Sequence, residues 1–163
     1  MEQTSIHIPV QIFPDLDSLE PADALLLQAA GKATANAYAP YSKFRVGAAV
    51  RLVNGQILTG SNQENASYPT GLCAERVALS AASATFPGIA VTSLALTYIN
   101  ESCDSNHPIS PCGICRQTLS EYEQRFGQAI RLVLGGSFGE IYVINRATDL
   151  LPFAFSSQEL KSR

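Results

Sequence analysis

Two short segments, far apart in the chain, most constrain how this sequence can fold. One is Cys73-Ala74-Glu75-Arg76 and the other is Pro111-Cys112-Gly113-Ile114-Cys115. Three thiolates can bind a zinc ion and leave its fourth tetrahedral position open to water, which distinguishes a catalytic zinc site from a structural one. The fold must therefore bring both segments to one point, where the Glu75 carboxylate could move protons between that water and a substrate.

Both thiol segments lie at the starts of predicted helices. An Ala- and Leu-rich pattern predicts one helix over residues 72–85, and a second is predicted over residues 113–126, where Gly127 ends it. The N-terminus of a helix carries partial positive charge and free N–H groups, both of which stabilise thiolates. Cys112 and Cys115 are three residues apart and so share one helix face. Two helix starts that meet at one ion make a sound geometry for a metal site.

The remaining segments predict an α/β layered domain with a mixed sheet, because strands and helices alternate after the first helix and Asn54-Gly55 marks a hairpin turn. Residues 6–12 alternate apolar and polar side chains, but Pro9 excludes them from a central strand. Besides the two helices above, the pattern predicts a helix over 22–37 and strands over 45–53, 56–61, 91–99, 130–134 and 141–145.

Composition limits the classes of function. A chain of 163 residues with 46% hydrophobic and 15% charged residues is long enough for one packed domain, and its thinly charged surface hints at self-association. The net charge of -3 and the lack of a Lys or Arg run argue against a nucleic-acid surface. No apolar run has membrane-spanning length, and the N-terminus lacks the pattern of a signal peptide. We therefore expect a cytoplasmic protein, in a reducing compartment that keeps its thiols free for metal.

Two other interpretations of the cysteines stay open at this point. All four, with Cys103 as the fourth ligand, could form a closed structural zinc site, although Cys103 has no partner thiol at short spacing and Glu75 would then have no task. Alternatively, Cys112 and Cys115 could be a redox pair, although such a pair normally follows the first strand of its domain.

Three thiolates and Zn²⁺ leave about one negative charge, which a neighbouring Arg76 would offset.

Five sequence blocks resemble the small, three-cysteine type of cytidine deaminase, and they occur in that family's order. The metal motif alone is shared by zinc-dependent base deaminases in general, so the other blocks make the resemblance specific. The blocks are residues 37–49, 62–68, 73–76, 111–117 and 150–155.

The resemblance implies a three-layer α-β-α domain with a five-stranded mixed sheet, one Zn²⁺ per chain and a homotetramer. It also implies hydrolytic deamination of free cytidine and deoxycytidine to uridine and deoxyuridine with release of ammonia, as in pyrimidine salvage. The implied roles are zinc binding by Cys73, Cys112 and Cys115, proton transfer by Glu75, and charge compensation by Arg76. The implied substrate contacts are Phe44, Asn62, Glu64, backbone groups at Ala74 and near Ser110, and Phe155 supplied by a neighbouring subunit.

The chain departs from the family pattern in two places. Residues 1–20 form an N-terminal extension before a single catalytic domain at 21–163, and the loop over 100–110 is longer than usual. Both departures concern the border of the pocket. Two alternatives to the nucleoside enzyme remain: a related deaminase of a cytosine-containing antibiotic such as blasticidin, and a non-catalytic zinc protein that mediates interactions.

Overall fold

The structure is a computed structural model, and it describes residues 1–160. Its centre is a six-stranded sheet with the strand order β1-β6-β5-β4-β2-β3, in which β4 and β5 are parallel and all other neighbours are antiparallel. The strands are β1 (Gln11–Phe13), β2 (Phe44–Leu52), β3 (Ile57–Ser61), β4 (Val91–Asn100), β5 (Arg131–Gly135) and β6 (Ile141–Ile144). The helices are α1 (Pro21–Ala33), α2 (Ala74–Thr85) and α3 (Gly113–Phe126).

The helices cover both faces of the sheet, because successive strand side chains point to opposite sides. On one face α1 packs its apolar stripe, including Leu26 and Ala30, against Ala49 of β2 and Val133 of β5. On the other face the side chains of α2 and α3 meet residues of the opposite parity, which are Ala48, Val50, Leu94, Leu96, Leu132 and Leu134. The predicted three-layer α-β-α fold with a mixed sheet is therefore confirmed.

The predicted number of strands is wrong, because the sheet has six strands rather than five. The sixth is β1, which lies before α1 in the chain and pairs antiparallel with β6, placing Ile12 opposite Tyr142. It lies at the edge of the sheet, in agreement with the exclusion of this segment from a central position. Only Gln11 and Ile12 of the predicted extended segment join the strand, which ends at Phe13, since Pro9 lacks the N–H that a longer ladder would need.

The first helix ends earlier than predicted. α1 stops at Ala33 and continues as a 3₁₀ turn over Thr34–Asn36. The Arg45 side chain of β2 explains the change, since its Nε and Nη2 donate to the carbonyls of Thr34 and Ala35. Those contacts satisfy carbonyls that a helix end leaves free.

Two glycines let the helices approach the sheet closely. A Cβ on Gly47 of β2 would lie 2.0 Å from the carbonyl oxygen of Ala30 in α1. On the other face, a Cβ on Gly60 of β3 would lie 2.4 Å from the backbone nitrogen of Ala78 in α2. The second contact fixes the height of α2 above the sheet, and with it the position of the segment that begins the helix. Among the described residues, no helix is long and apolar enough to span a membrane.

Candidate active site

Three thiols meet where two helices begin. Cys73 is the N-cap residue of α2, and Cys112 is the N-cap residue of α3. Sγ of Cys73 lies 3.6 Å from Sγ of Cys112, which lies 3.5 Å from Sγ of Cys115. The three sulfurs are all within 4.8 Å of one another. The fold therefore brings together the two segments that the sequence predicted to meet.

The thiol geometry fits a zinc ion. A Zn–S distance of about 2.3 Å at a tetrahedral angle puts two sulfurs about 3.8 Å apart. The observed separations of 3.6 and 3.5 Å lie close to that value. Three soft sulfur ligands favour zinc over magnesium or calcium, which take oxygen ligands. The cluster could thus hold zinc with one coordination position left for a small molecule.

Hydrogen bonds between the thiols shift their pKa values. A bound metal ion would take the place of the protons in these hydrogen bonds. A hydrogen bond with Cys115 is the main reason that the pKa of the Cys73 thiol falls to about 6, and the Arg76 guanidinium contributes by its charge. The same hydrogen bond, together with burial, raises the pKa of Cys115. Cys73 therefore becomes a thiolate more readily than Cys115, and Arg76 lies where it can offset a negatively charged cluster.

Glu75 lies beside the cluster in the first turn of α2 and is only 4% exposed. Burial is the largest influence on its carboxyl group, and it raises the pKa above the usual value of 4.5. The charge of the neighbouring Cys73 acts in the same direction. A carboxyl group with a raised pKa can accept and donate a proton in turn near neutral pH, which is what a proton shuttle requires.

Cys103 does not belong to the thiol cluster. Within residues 1–160, the group of side chains close enough to share a metal comprises Cys73, Cys112 and Cys115 alone. Cys103 is exposed, and its sulfur accepts a hydrogen bond from the side-chain amide of Asn100. The interpretation as a closed site with four thiolates is therefore wrong.

A pocket opens directly above the thiols. Its volume is about 660 Å³, which lies within the range for small-molecule sites. Its floor includes Cys73, Cys112 and Glu75, and its walls include most of the predicted substrate contacts. These wall residues are Phe44, Asn62, Glu64, Ala74 and Ser110. Arg76, which was predicted to offset charge, also lines the pocket.

Asn62 has a structural task that its sequence position did not reveal. Its Oδ1 accepts from the backbone N–H of Val46 at 2.8 Å, and its Nδ2 donates to the carbonyl of Phe44 at 2.9 Å. The side chain thus continues the hydrogen-bonding of the β2 edge where the β2–β3 ladder ends. One oxygen lone pair and one N–H remain for a ligand.

Glu64 is held in a similar way. Its carboxylate accepts from the backbone N–H of Tyr41 at 2.9 Å and from both the backbone and the hydroxyl of Ser42. The Ser42 hydroxyl is the largest cause that lowers the pKa of Glu64 below its usual value. The carboxylate is therefore fixed and ionised at neutral pH. Ser42 is a contributor that the sequence did not single out for this role.

Phe44 and the loop over residues 101–110, called the rim loop below, form another wall of the pocket. Phe44 stacks on Tyr98 of β4, and Tyr98 contacts His107 of the rim loop. No role was predicted for Tyr98 or His107, because nothing local indicates that a strand residue and a loop residue share a contact. Phe155 does not line this chain's pocket; its side chain is 59% exposed, and its carbonyl accepts from Gln117.

Comparison with known proteins agrees with this arrangement. The family model described as the cytidine and deoxycytidylate deaminase zinc-binding region matches residues 21–127. The chain belongs to this family. The match spans the thiols and the Glu75 carboxyl group, and the family region is zinc-binding by description. The predicted family is therefore confirmed, and zinc is the cofactor that the family and the thiol cluster both indicate.

The chain matches individual relatives over most of their length. A protein named cytidine deaminase from Halalkalibacterium halodurans is 35% identical over 136 residues, which are 83% of this chain and 96% of the relative. Another from Mycobacterium tuberculosis is 38% identical over 138 residues. A crystal structure of cytidine deaminase from Burkholderia pseudomallei superposes with a TM-score of 0.70 at 41% identity, and it covers 80% of this chain and 97% of its own.

Proposed function

We propose that this chain is a zinc-dependent hydrolase that converts cytidine and deoxycytidine to uridine and deoxyuridine with release of ammonia. The observation that carries the proposal is the buried Glu75 carboxyl group beside three convergent thiols on the floor of a nucleoside-sized pocket. Relatives named cytidine deaminase support the choice of base.

Cys73, Cys112 and Cys115 would hold the zinc ion, one per chain. Bound zinc supplies a Lewis acid that lowers the pKa of water in its open position to about 7. Arg76 would compensate the excess negative charge of the thiolates, as its influence on the pKa of Cys73 indicates.

Glu75 would move the protons of the reaction. Its carboxylate accepts a proton from the attacking water and passes that proton to N3 of the pyrimidine, while the water oxygen bonds to C4. The second proton of the water then reaches the C4 amino group through the same carboxylate, and the C–N bond breaks. Cytidine and water thus become uridine and ammonia, with no other reactant.

The rest of the pocket would select a free nucleoside. The fixed Glu64 carboxylate and the unused hydrogen-bonding capacity of Asn62 suit the hydroxyls of a ribose, and Phe44 offers an apolar face. Backbone groups at Ala74 and near Ser110 would contact the pyrimidine edge, since both residues line the pocket beside Glu75. A polynucleotide would need an open basic groove. Among the described residues that line the pocket, Arg76 is the only cationic side chain, so the pocket suits a free nucleoside better.

A neighbouring subunit would complete the pocket. Phe155 is exposed and lies outside its own chain's pocket, and Phe153 beside it is also exposed. We therefore propose a homotetramer in which Phe155 of one subunit lies over the base bound by another. Variants Phe155→Ala and Glu75→Ala should each be poorly active alone, and mixed tetramers should regain activity; no regain would contradict the exchange of Phe155.

The proposal extends to chain organisation and location. We propose that residues 1–20 are an extension and that residues 21–163 form one catalytic domain, of which 161–163 lie outside the described residues. The family match begins at residue 21, which supports this division. We propose a cytoplasmic location because the thiols must stay reduced to bind metal.

Ultraviolet absorbance tests the proposed reaction directly. Purified, zinc-loaded protein mixed with cytidine should lose the cytidine band, and deoxycytidine should behave alike. Loss of neither band, with one zinc per chain present, would contradict the nucleoside assignment; the same assay with blasticidin would then test the alternative substrate.

A further inference from the structure

A buried tyrosine lies behind one wall of the pocket. Tyr98 of β4 is 1% exposed and stands opposite Val46 of β2 in the sheet. Its ring stacks on the ring of Phe44, with centroids 4.7 Å apart and an interplanar angle of 19°. Phe44 lines the pocket, whereas Tyr98 does not. Tyr98 therefore supports the pocket wall from behind without reaching a ligand.

The hydroxyl of Tyr98 extends from this stack to the rim loop. Tyr98 Oη lies 3.1 Å from Nδ1 of His107, and the two rings meet edge to face. Burial raises the pKa of Tyr98, so the hydroxyl stays protonated at neutral pH. Ile109 and Ser110, which follow His107 by two and three residues in the rim loop, line the pocket. One side chain is thus in contact with two separate parts of the pocket border.

The first half of the rim loop is anchored independently of Tyr98. The backbone N–H of Ser137 donates to the carbonyl of Ser105 at 2.6 Å, and the hydroxyl of Ser105 accepts from the backbone N–H of Asn100 at 2.8 Å. Gly136 leaves room for this contact, since a Cβ there would lie 2.3 Å from the same carbonyl oxygen. The second half carries the pocket-lining residues. Its side chains meet the body of the domain through the packing of Ile109 against the hydrophobic core and through the His107 contact with Tyr98, which is its polar link to the sheet.

We propose that Tyr98 is a positioning residue that holds two walls of the nucleoside pocket in register, Phe44 by stacking and the rim loop through His107. The inference rests on the proposed function, because it concerns how a nucleoside is held. Tyr98 and His107 both lie outside the pocket lining and so do not touch the reacting atoms. Loss of the contact should therefore weaken substrate binding in the ground state and the transition state alike, which raises KM and leaves kcat unchanged.

The experiment compares Tyr98→Phe, His107→Ala and the double variant, each loaded with zinc. Tyr98→Phe keeps the stack on Phe44 and removes only the hydroxyl. Each single change should raise the KM for cytidine about three- to ten-fold, the range for one lost hydrogen bond. The double variant should be no worse than His107→Ala, because that variant already removes the hydrogen bond that Tyr98→Phe removes. His107→Gln, whose amide can bind the phenol, should recover part of the loss.

Tyr122→Phe is the matched control. Its hydroxyl is hydrogen-bonded to Ser83 at 2.7 Å and to the carbonyl of Leu79 at 3.0 Å, but the side chain lies outside the nucleoside pocket. This variant should keep the wild-type KM. An unchanged KM in Tyr98→Phe, multiplied effects in the double variant, or an equal rise of KM in the control would overturn the proposal.

Hydrogen exchange separates failure of this proposal from failure of the proposed function. The amides of His107, Ile109 and Ser110 should exchange faster in Tyr98→Phe and His107→Ala than in wild type or Tyr122→Phe. Inactivity of the wild type toward cytidine would refute the proposed function, and the exchange rates would still decide whether Tyr98 holds the rim loop. Equal exchange in all four proteins would overturn the positioning role.

Discussion

The floor and the border of the pocket are built on opposite plans. The floor side chains, Cys73, Glu75, Cys112 and Cys115, stand on the first turns of two helices and interact mainly with one another. The polar border side chains stand on loops and strand ends, and they form hydrogen bonds with backbone groups of other segments of the chain. Asn62 holds the start of β2, and Glu64 holds the turn at Tyr41 and Ser42.

This difference separates chemistry from architecture. Under the proposed function, a change on the floor would remove a proton carrier or a metal ligand and should leave the sheet intact, because none of the four floor residues belongs to the two hydrophobic core clusters. A change on the border should alter stability and substrate binding together, since one side chain serves both. Four substitutions can break or sharpen this distinction.

Glu75→Gln should have the largest effect on turnover. It should lower kcat by about 10²- to 10⁴-fold, the usual contribution of a general acid–base group. Zinc content and the melting temperature should not fall, because burial already disfavours the ionised carboxylate. Glu121→Gln, on the exposed side of α3, is the control and should behave as wild type. Steady-state kinetics with zinc analysis tests this, and an active Glu75→Gln enzyme would refute the role.

Cys112→Ser should lose the metal and with it most of the activity. Two remaining thiols bind zinc far less tightly than three, and a serine hydroxyl is a poor ligand at neutral pH. Cys103→Ser should retain one zinc per chain, because Cys103 lies outside the cluster. Metal analysis of the two purified variants decides the matter; a normal zinc content in Cys112→Ser would exclude that residue as a ligand.

Asn62→Ala should affect both properties at once. It removes the partners of the Val46 N–H and the Phe44 carbonyl, so the free energy of unfolding should fall by about 1–3 kcal/mol. KM should rise in the same variant. Asn54→Ala, which loses one contact to the Gln56 N–H in the β2–β3 hairpin, should keep the wild-type KM. A stable Asn62→Ala protein with raised KM would show that the border does not share its tasks.

Ser42→Ala should have the smallest effect, and pH reveals it. The Ser42 hydroxyl lowers the folded-state pKa of Glu64, so this carboxylate contributes stability above its unfolded pKa and loses it as pH falls through the folded value. Without the hydroxyl, the folded pKa should rise toward 4.5. The Glu64 titration, followed by NMR in both proteins, should shift to higher pH in the variant. Coincident titrations would remove Ser42 from the account.

Regular elements with local signals could be predicted from the sequence. The predicted α3 agrees with the observed Gly113–Phe126, because Gly127 ends that helix in the left-handed conformation that glycine adopts easily. The thiol floor followed from the same signals, since both ligand segments begin helices. The predicted end of α1 was too late in the chain. Arg45, which is distant in sequence, donates to the carbonyls of Thr34 and Ala35, where a 3₁₀ turn takes the place of the last predicted helical turn.

Long-range contacts account for what the sequence did not reveal. The three residues of β1 become a strand because the edge of β6 is available, a condition set by the rest of the sheet. The second task of Asn62, the grip of Ser42 on Glu64 and the contact of Tyr98 with His107 join residues from different elements. No spacing within one segment indicates such pairs.

Metal titration tests the central claim most directly. Protein freed of metal by a chelator should not deaminate cytidine, and added Zn²⁺ should restore the rate linearly until one ion per chain is bound. Cys103→Ser should follow the same line, and Glu75→Gln should bind the same ion without turnover. Full activity in the metal-free protein, or saturation only beyond one ion per chain, would contradict the account.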